Sequence, residues 1–97
     1  MPHYFLKLFV SGRTRRSKRA IANLRCICES GLIGNYKIMV IDVLEQPELA
    51  EAEMILATPT LIKVLPPPIR QIIGDLSDTK RVLLGLDLKP DEQADTA

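Results

Sequence analysis

Ile55-Leu56-Ala57-Thr58-Pro59-Thr60-Leu61-Ile62-Lys63-Val64-Leu65-Pro66-Pro67-Pro68 is the stretch on which the fold turns. Leu61, Ile62, Val64 and Leu65 favour a buried strand. Pro59 has no amide donor and steers Thr58 out of the helical region, so a strand can begin there but a helix cannot pass through. The Thr58-Pro59 bond is a candidate cis peptide, with a trans proline at a strand start as the alternative. Pro66, Pro67 and Pro68 then end the ladder and force an extended or turning connection.

The composition around this stretch is that of one folded unit. Ninety-seven residues, 46% hydrophobic and 26% charged, suit a single domain rather than a disordered chain. Aromatics make up only 4% and Trp is absent, so the core must be aliphatic. Charges interrupt every apolar run before it reaches membrane-spanning length. Met1-Pro2-His3-Tyr4 lacks the basic and apolar regions of a secretory leader, so a cytoplasmic location is expected. With a net charge of +1, the whole chain offers no argument for a polyanionic partner, but the charges are segregated. Arg13, Arg15, Arg16, Lys18, Arg19 and Arg25 form a basic block, and Asp42, Glu45, Glu48, Glu51 and Glu53 an acidic one. Such polarity suits oriented docking or self-assembly, and equally two solvated faces.

In chain order, residues 4–10 read as a first strand, dense enough in apolar residues to have neighbours on both sides. Thr14 or Ser17 can cap a helix over 17–29, whose Ala20, Ile21, Leu24, Ile27 and Cys28 share one face. Cys28 is then a core residue, with Cys26 nearer an edge. Gly31 and Gly34 return the chain to a second strand over 36–43, and this order favours a parallel βαβ unit. Pro47 opens a short helix with a poor packing stripe. Residues 60–65 and 69–73 supply two more strands. Ser77 can cap a last helix through Leu84. The segment 82–88 has two incompatible readings, a helix weakened by Gly85 or an alternating strand. Residues 89–97 form a polar, flexible tail.

The resulting β-α-β-α-β-β-α order, with Thr58-Pro59 ahead of the third strand, resembles a thioredoxin-like α/β domain. The loop that would carry the redox cysteines is Ser11-Gly12-Arg13-Thr14-Arg15-Arg16-Ser17, which has none. Cys26 and Cys28 stand too far along the helix for thiol-disulfide exchange at its start. A closer resemblance spans almost the whole chain. Lys7-Leu8-Phe9-Val10-Ser11-Gly12, Val40-Ile41-Asp42-Val43-Leu44, Pro47-Glu48-Leu49-Ala50, the stretch 55–68, Ile72-Ile73-Gly74-Asp75-Leu76-Ser77 and Val82-Leu83-Leu84-Gly85-Leu86-Asp87-Leu88 together resemble the KaiB family of circadian clock proteins.

That resemblance implies a KaiB-like domain over 1–88, with a constant βαβ half at 2–44 and a fold-switching half at 45–88. It implies a homotetrameric or dimeric ground state and a rare thioredoxin-like monomer that binds a KaiC-like ATPase ring. The implied function is a non-catalytic adaptor that regulates phosphorylation and output, with a KaiA-like protein and sensor histidine kinases as further partners. No catalytic residue, cofactor or metal is expected, nor any nucleic acid or membrane partner. Arg19, Lys63 and Arg70 are the implied partner-binding positions, each of which can instead be a solvated surface residue. Thr58, Pro59, Pro66, Pro67, Pro68, Gly85 and Asp87 are the implied fold-switch positions, and X-Pro isomerisation is slow enough to contribute a delay. Three departures stand out. The loop 13–17 is unusually basic, Ala52-Glu53-Met54 replaces a more charged pattern, and Gln71 follows Arg70 where a second Arg is common. They leave open a divergent module acting in stress adaptation without a full clock, and, further off, a thiol oxidoreductase.

Overall fold

A computed structural model describes residues 4–30 and 35–86 of the chain. Seven elements follow one another: β1 (Tyr4–Val10), α1 (Arg15–Glu29), β2 (Tyr36–Asp42), α2 (Pro47–Ala52), β3 (Thr60–Leu65), β4 (Arg70–Ile73) and α3 (Thr79–Gly85). They form one four-stranded sheet in the order β2-β1-β3-β4. β1 runs parallel to β2 and antiparallel to β3, and β3 and β4 are antiparallel. The first strand therefore has neighbours on both sides, as its apolar density requires.

Strand alternation sends β1 side chains to two cores. Tyr4, Leu6, Leu8 and Val10 join Leu61 and the buried faces of α1 (Ala20, Leu24, Ile27, Cys28) and α3 (Val82), with Leu76 and Leu86. Phe9 on the opposite face meets Ile41 and Ile62, with Val43, Ala50, Ile55 and Val64 packed against them. The second core is the thinner one. α2 contributes only the half-buried Ala50 and buries no residue completely, in keeping with its poor stripe.

Local chemistry places the ends. α1 starts earlier than the periodicity indicates: Thr14 is its N-cap, accepting from the Ser17 amide. Ser17, the other cap candidate, is buried one turn in. α3 is capped by Asp78, whose carboxylate accepts from the Arg81 amide, and not by Ser77. Ser77 instead donates its amide to Asp75 Oδ1 at 3.1 Å. The helical reading of the last segment holds through Gly85, with Leu86 as C-cap. Asp87 and the tail 89–97 lie outside the described residues, as do Gly31 and Gly34. The Thr58-Pro59, Leu65-Pro66 and Pro67-Pro68 bonds are cis.

Candidate docking surface

The carboxyl end of β1 meets the start of α1 in a loop held by three side chains. The Ser11 amide donates to Ser17 Oγ at 3.1 Å, and the Thr14 hydroxyl donates to the same atom at 2.8 Å. The Ser17 hydroxyl in turn donates to the Ser11 carbonyl at 3.3 Å. Gly12 turns with φ of 62°, a left-handed conformation that suits glycine, and its amide donates to Asp42 Oδ1 at 3.0 Å. The same carboxylate oxygen accepts from the Leu44 amide at 2.9 Å. Asp42 thus ties the β1–α1 and β2–α2 connections together. Because Phe9 pairs with Thr60, the Thr58-Pro59 step lies beside Ser11 and Gly12. Pro59 is buried there, and its carbonyl accepts from the Gly74 amide at 3.0 Å.

The three basic positions singled out from the sequence do not form one cluster. Arg19, on the exposed face of α1, places Nη1 3.4 Å from Asp75 Oδ2. Next along that helix, the Asn23 amide group donates to the Asp75 carbonyl at 2.7 Å. Together they clamp α1 to the β4–α3 connection. The Ser77 hydroxyl and amide, with the Arg19 guanidinium after them, hold the Asp75 carboxyl below its usual range. Lys63 and Arg70 are register partners on β3 and β4, at the end of the hairpin that Pro66, Pro67 and Pro68 close. Arg70 is exposed. Lys63 is 1% exposed and shares the face of Leu61 that α1 and α3 cover. Among the described residues it has no ion pair, and no buried side-chain nitrogen or oxygen lacks a hydrogen-bond partner. Its side chain is therefore core along its length, with no more than the edge of the ammonium touching solvent.

Thr58 and Pro59 stand at one end of β3 and Pro66, Pro67 and Pro68 at the other. Gly85 is the exposed last residue of α3, and a Cβ there would meet Ile72 Cδ1 at 3.2 Å. Neither cysteine is near the Ser11–Ser17 loop: both are free, Cys28 buried and Cys26 exposed. Cys26 lines a groove of about 210 Å³ with Asn23, Ile27, Ser30, Leu76, Ser77 and Thr79. Burial, and secondly the charge of Glu29, pushes the Cys28 thiol up to about 11. Among the described residues no group of three or more His, Cys, Asp or Glu is placed to hold a metal, and no helix is long and apolar enough to cross a membrane. Sequence reasoning missed Ser17 as a hub and the bridging roles of Asp42 and Asp75. Only the short spacing from Thr14 to Ser17 could have pointed to the first.

The KaiB domain family matches residues 7–88. This chain belongs to the KaiB family. It is 61% identical over 94 residues to the circadian clock oscillator protein KaiB of Parasynechococcus marenigrum, covering 97% of this chain and 90% of the relative. A KaiB of Prochlorococcus marinus is 62% identical over 89 residues, covering 92% and 75%. Among solved structures, the N-terminal domain of Synechococcus elongatus SasA superposes with a TM-score of 0.71 at 28% identity, covering 87% of this chain and 81% of that domain. Yeast mitochondrial thioredoxin 3 superposes with a TM-score of 0.70 over 90% of this chain and 79% of its own, at 17% identity. The fold is thus thioredoxin-like, and the family is one of circadian clock proteins.

Proposed function

We propose that this KaiB-family chain is a non-catalytic, clock-type adaptor that binds a KaiC-like ATPase ring after a slow conformational change, and regulates phosphorylation and output by recruiting or displacing other partners. The observation that carries the reading is the shared fold and 28% identity with the SasA domain, combined with a Ser11–Ser17 loop that contains no thiol. Two related domains with one fold can compete for one docking site. A KaiA-like protein and sensor histidine kinases are the further partners on this reading. Arg70 would position the ring by charge-assisted contacts at the triple-proline end of the sheet, Lys63 would do so only where repacking uncovers it, and Arg19 after release from Asp75.

Residues 2–44 would keep their fold while 45–88 repack into a tetrameric or dimeric resting state. The distribution of apolar surface supports this division. Among the described residues, Leu49, Met54, Leu56, Leu65, Ile69, Ile73 and Leu84 are the exposed large hydrophobics of the second half, against Tyr36, Met39, Val40 and Leu44 in the first. A half that leaves this much apolar surface in water has something to gain from a second packing, and two packings within a few kcal/mol are what switching requires.

Native mass spectrometry of the chain, alone and after prolonged incubation with its host's KaiC-like ATPase and nucleotide, tests the proposal. An oligomer that slowly gives up subunits to the ring is the expected outcome. An oligomer that never engages the ring would sink the adaptor role and favour a diverged module with another partner, such as one acting in stress adaptation.

A further inference from the structure

The basic block of the sequence is not used by the adaptor reading, apart from Arg19. In the fold three of its members fall on one face of α1. Arg15, Lys18 and Arg25 stand at helical spacings of three and seven residues, along with the small exposed Ala22, on the side of α1 opposite Ser17, Ala20, Leu24, Ile27 and Cys28. This row is about 15 Å long at 1.5 Å per residue. Arg13 lies in the loop ahead of the helix, Arg16 falls on another flank with Arg19 and Asn23, and all five cations are exposed. Among the described residues none of the five has an ion pair; the only basic residue of α1 that does is Arg19. The helix carries a single acid, Glu29, at its last position.

We infer that this face of α1 docks an acidic segment of a partner protein. Two of the three cations of the row are arginines, whose planar forks pair two-point with carboxylates and lose less freedom than lysines in doing so. Two features favour acidic protein over nucleic acid. All four aromatic residues of the chain lie on β1 and β2, so the stripe has no stacking platform for bases. The charge is also local: a net charge of +1, with Glu45, Glu48 and Glu51 exposed and unpaired among the described residues, gives no long-range field suited to a phosphate polymer. The chain's own acidic block does not close over the stripe, which leaves the face open to a partner. The inference concerns a surface other than the one at the triple-proline end, and stands or falls independently of ring binding.

The test is fluorescence-anisotropy titration of a labelled polyglutamate peptide, at about 0.15 M salt, against the full chain and the triple variant Arg15→Gln, Lys18→Gln, Arg25→Gln. Labelled single-stranded and duplex DNA of matched length serve as competitors. The expected result is salt-sensitive binding that the triple variant weakens by about tenfold or more, while Lys80→Gln, an exposed cation on α3, binds as the parent does. Removing Arg15 relieves a cation from the first turn of the helix, so the variant should melt no lower than the parent, and a folding defect cannot imitate the loss. Equal binding by parent and variant overturns the assignment, as does no binding at all. Tighter binding of either DNA than of the peptide overturns it in favour of nucleic acid.

Discussion

Lys63 and Cys28 show what a residue's name leaves unsaid. Both are buried, Cys28 on the inner face of α1 and Lys63 on β3, but only one is apolar. The Lys63 side chain is fully buried, its stem packed like a methionine, so packing and charge can be separated by mutation. Lys63→Ala is expected to lower stability by about 1–3 kcal/mol through lost packing. Lys63→Met should restore most of that in urea unfolding, while still losing any charge-dependent ring contact. If both variants unfold as the parent does, the stem is not core. Cys28 makes a pH prediction. Its thiol is pushed up to about 11 in the fold by burial, above the ordinary value of 9.0. Between those values the unfolded chain releases a proton that the folded chain keeps, so stability should be full below the ordinary thiol range and fall as pH rises toward 11. A Cys28→Ala variant should flatten that fall. In a thiol-labelling assay at neutral pH, Cys26 should react promptly and Cys28 only on unfolding.

At the scale of the element, α2 ends in a way that can be improved. The Met54 amide donates to the Glu51 carbonyl and the Ile55 amide to the Ala50 carbonyl, with Ile55 and Ala50 in the same apolar cluster. This pair of bonds with its apolar contact is the Schellman motif, in which the residue after the C-cap adopts the left-handed conformation and is most often glycine. Here it is Met54, at φ of 55° and 78% exposed. Met54→Gly should therefore stabilise the described fold by about 1 kcal/mol, since the left-handed conformation costs an L-residue roughly 1–2 kcal/mol and little packing is lost. That would raise the melting midpoint by about 4–8 °C for a domain of this size. An unchanged or lower midpoint would mean the thioether contributes more than its exposure indicates. Sequence inspection reaches the existence of α2 through Pro47, but not this cap, because Met carries no signal for a left-handed turn.

For the whole molecule, the proposed switch turns on which packing the second half prefers. Gly85 closes α3, and the helix ends within one residue of it. Gly85→Ala gains up to about 1 kcal/mol of helix propensity, at the expense of a slight shift of the flexible Ile72 terminus 3.2 Å away. Asp87→Arg places a cation where the sequence puts the helix's negative end. Together they are expected to move the population toward the monomeric, helix-ending state and to strengthen binding to a KaiC-like ring. Sedimentation and ring pull-down check this, and unchanged mass with unchanged binding would argue against a switch controlled by this helix.

The order of elements was legible in the chain because it depends on neighbours in sequence: short apolar runs at 4–10 and 60–65, helical spacing in α1, and prolines at both ends of β3. The absence of a thiol from the Ser11–Ser17 loop was equally plain. Tertiary structure decided what joins positions far apart. Asp42 reaches Gly12 across 30 residues and Arg19 reaches Asp75 across 56, and no local pattern encodes either bond. It also split Arg19 from Lys63 and Arg70, sent the Lys63 side chain into the core, and chose helix over Val82–Gly85, within the segment that reads two ways. The reason is physical. Propensity and periodicity act over a few residues, whereas burial and pairing are settled only when distant segments pack, and near-balanced segments such as Leu83–Leu86 take whichever form that packing rewards.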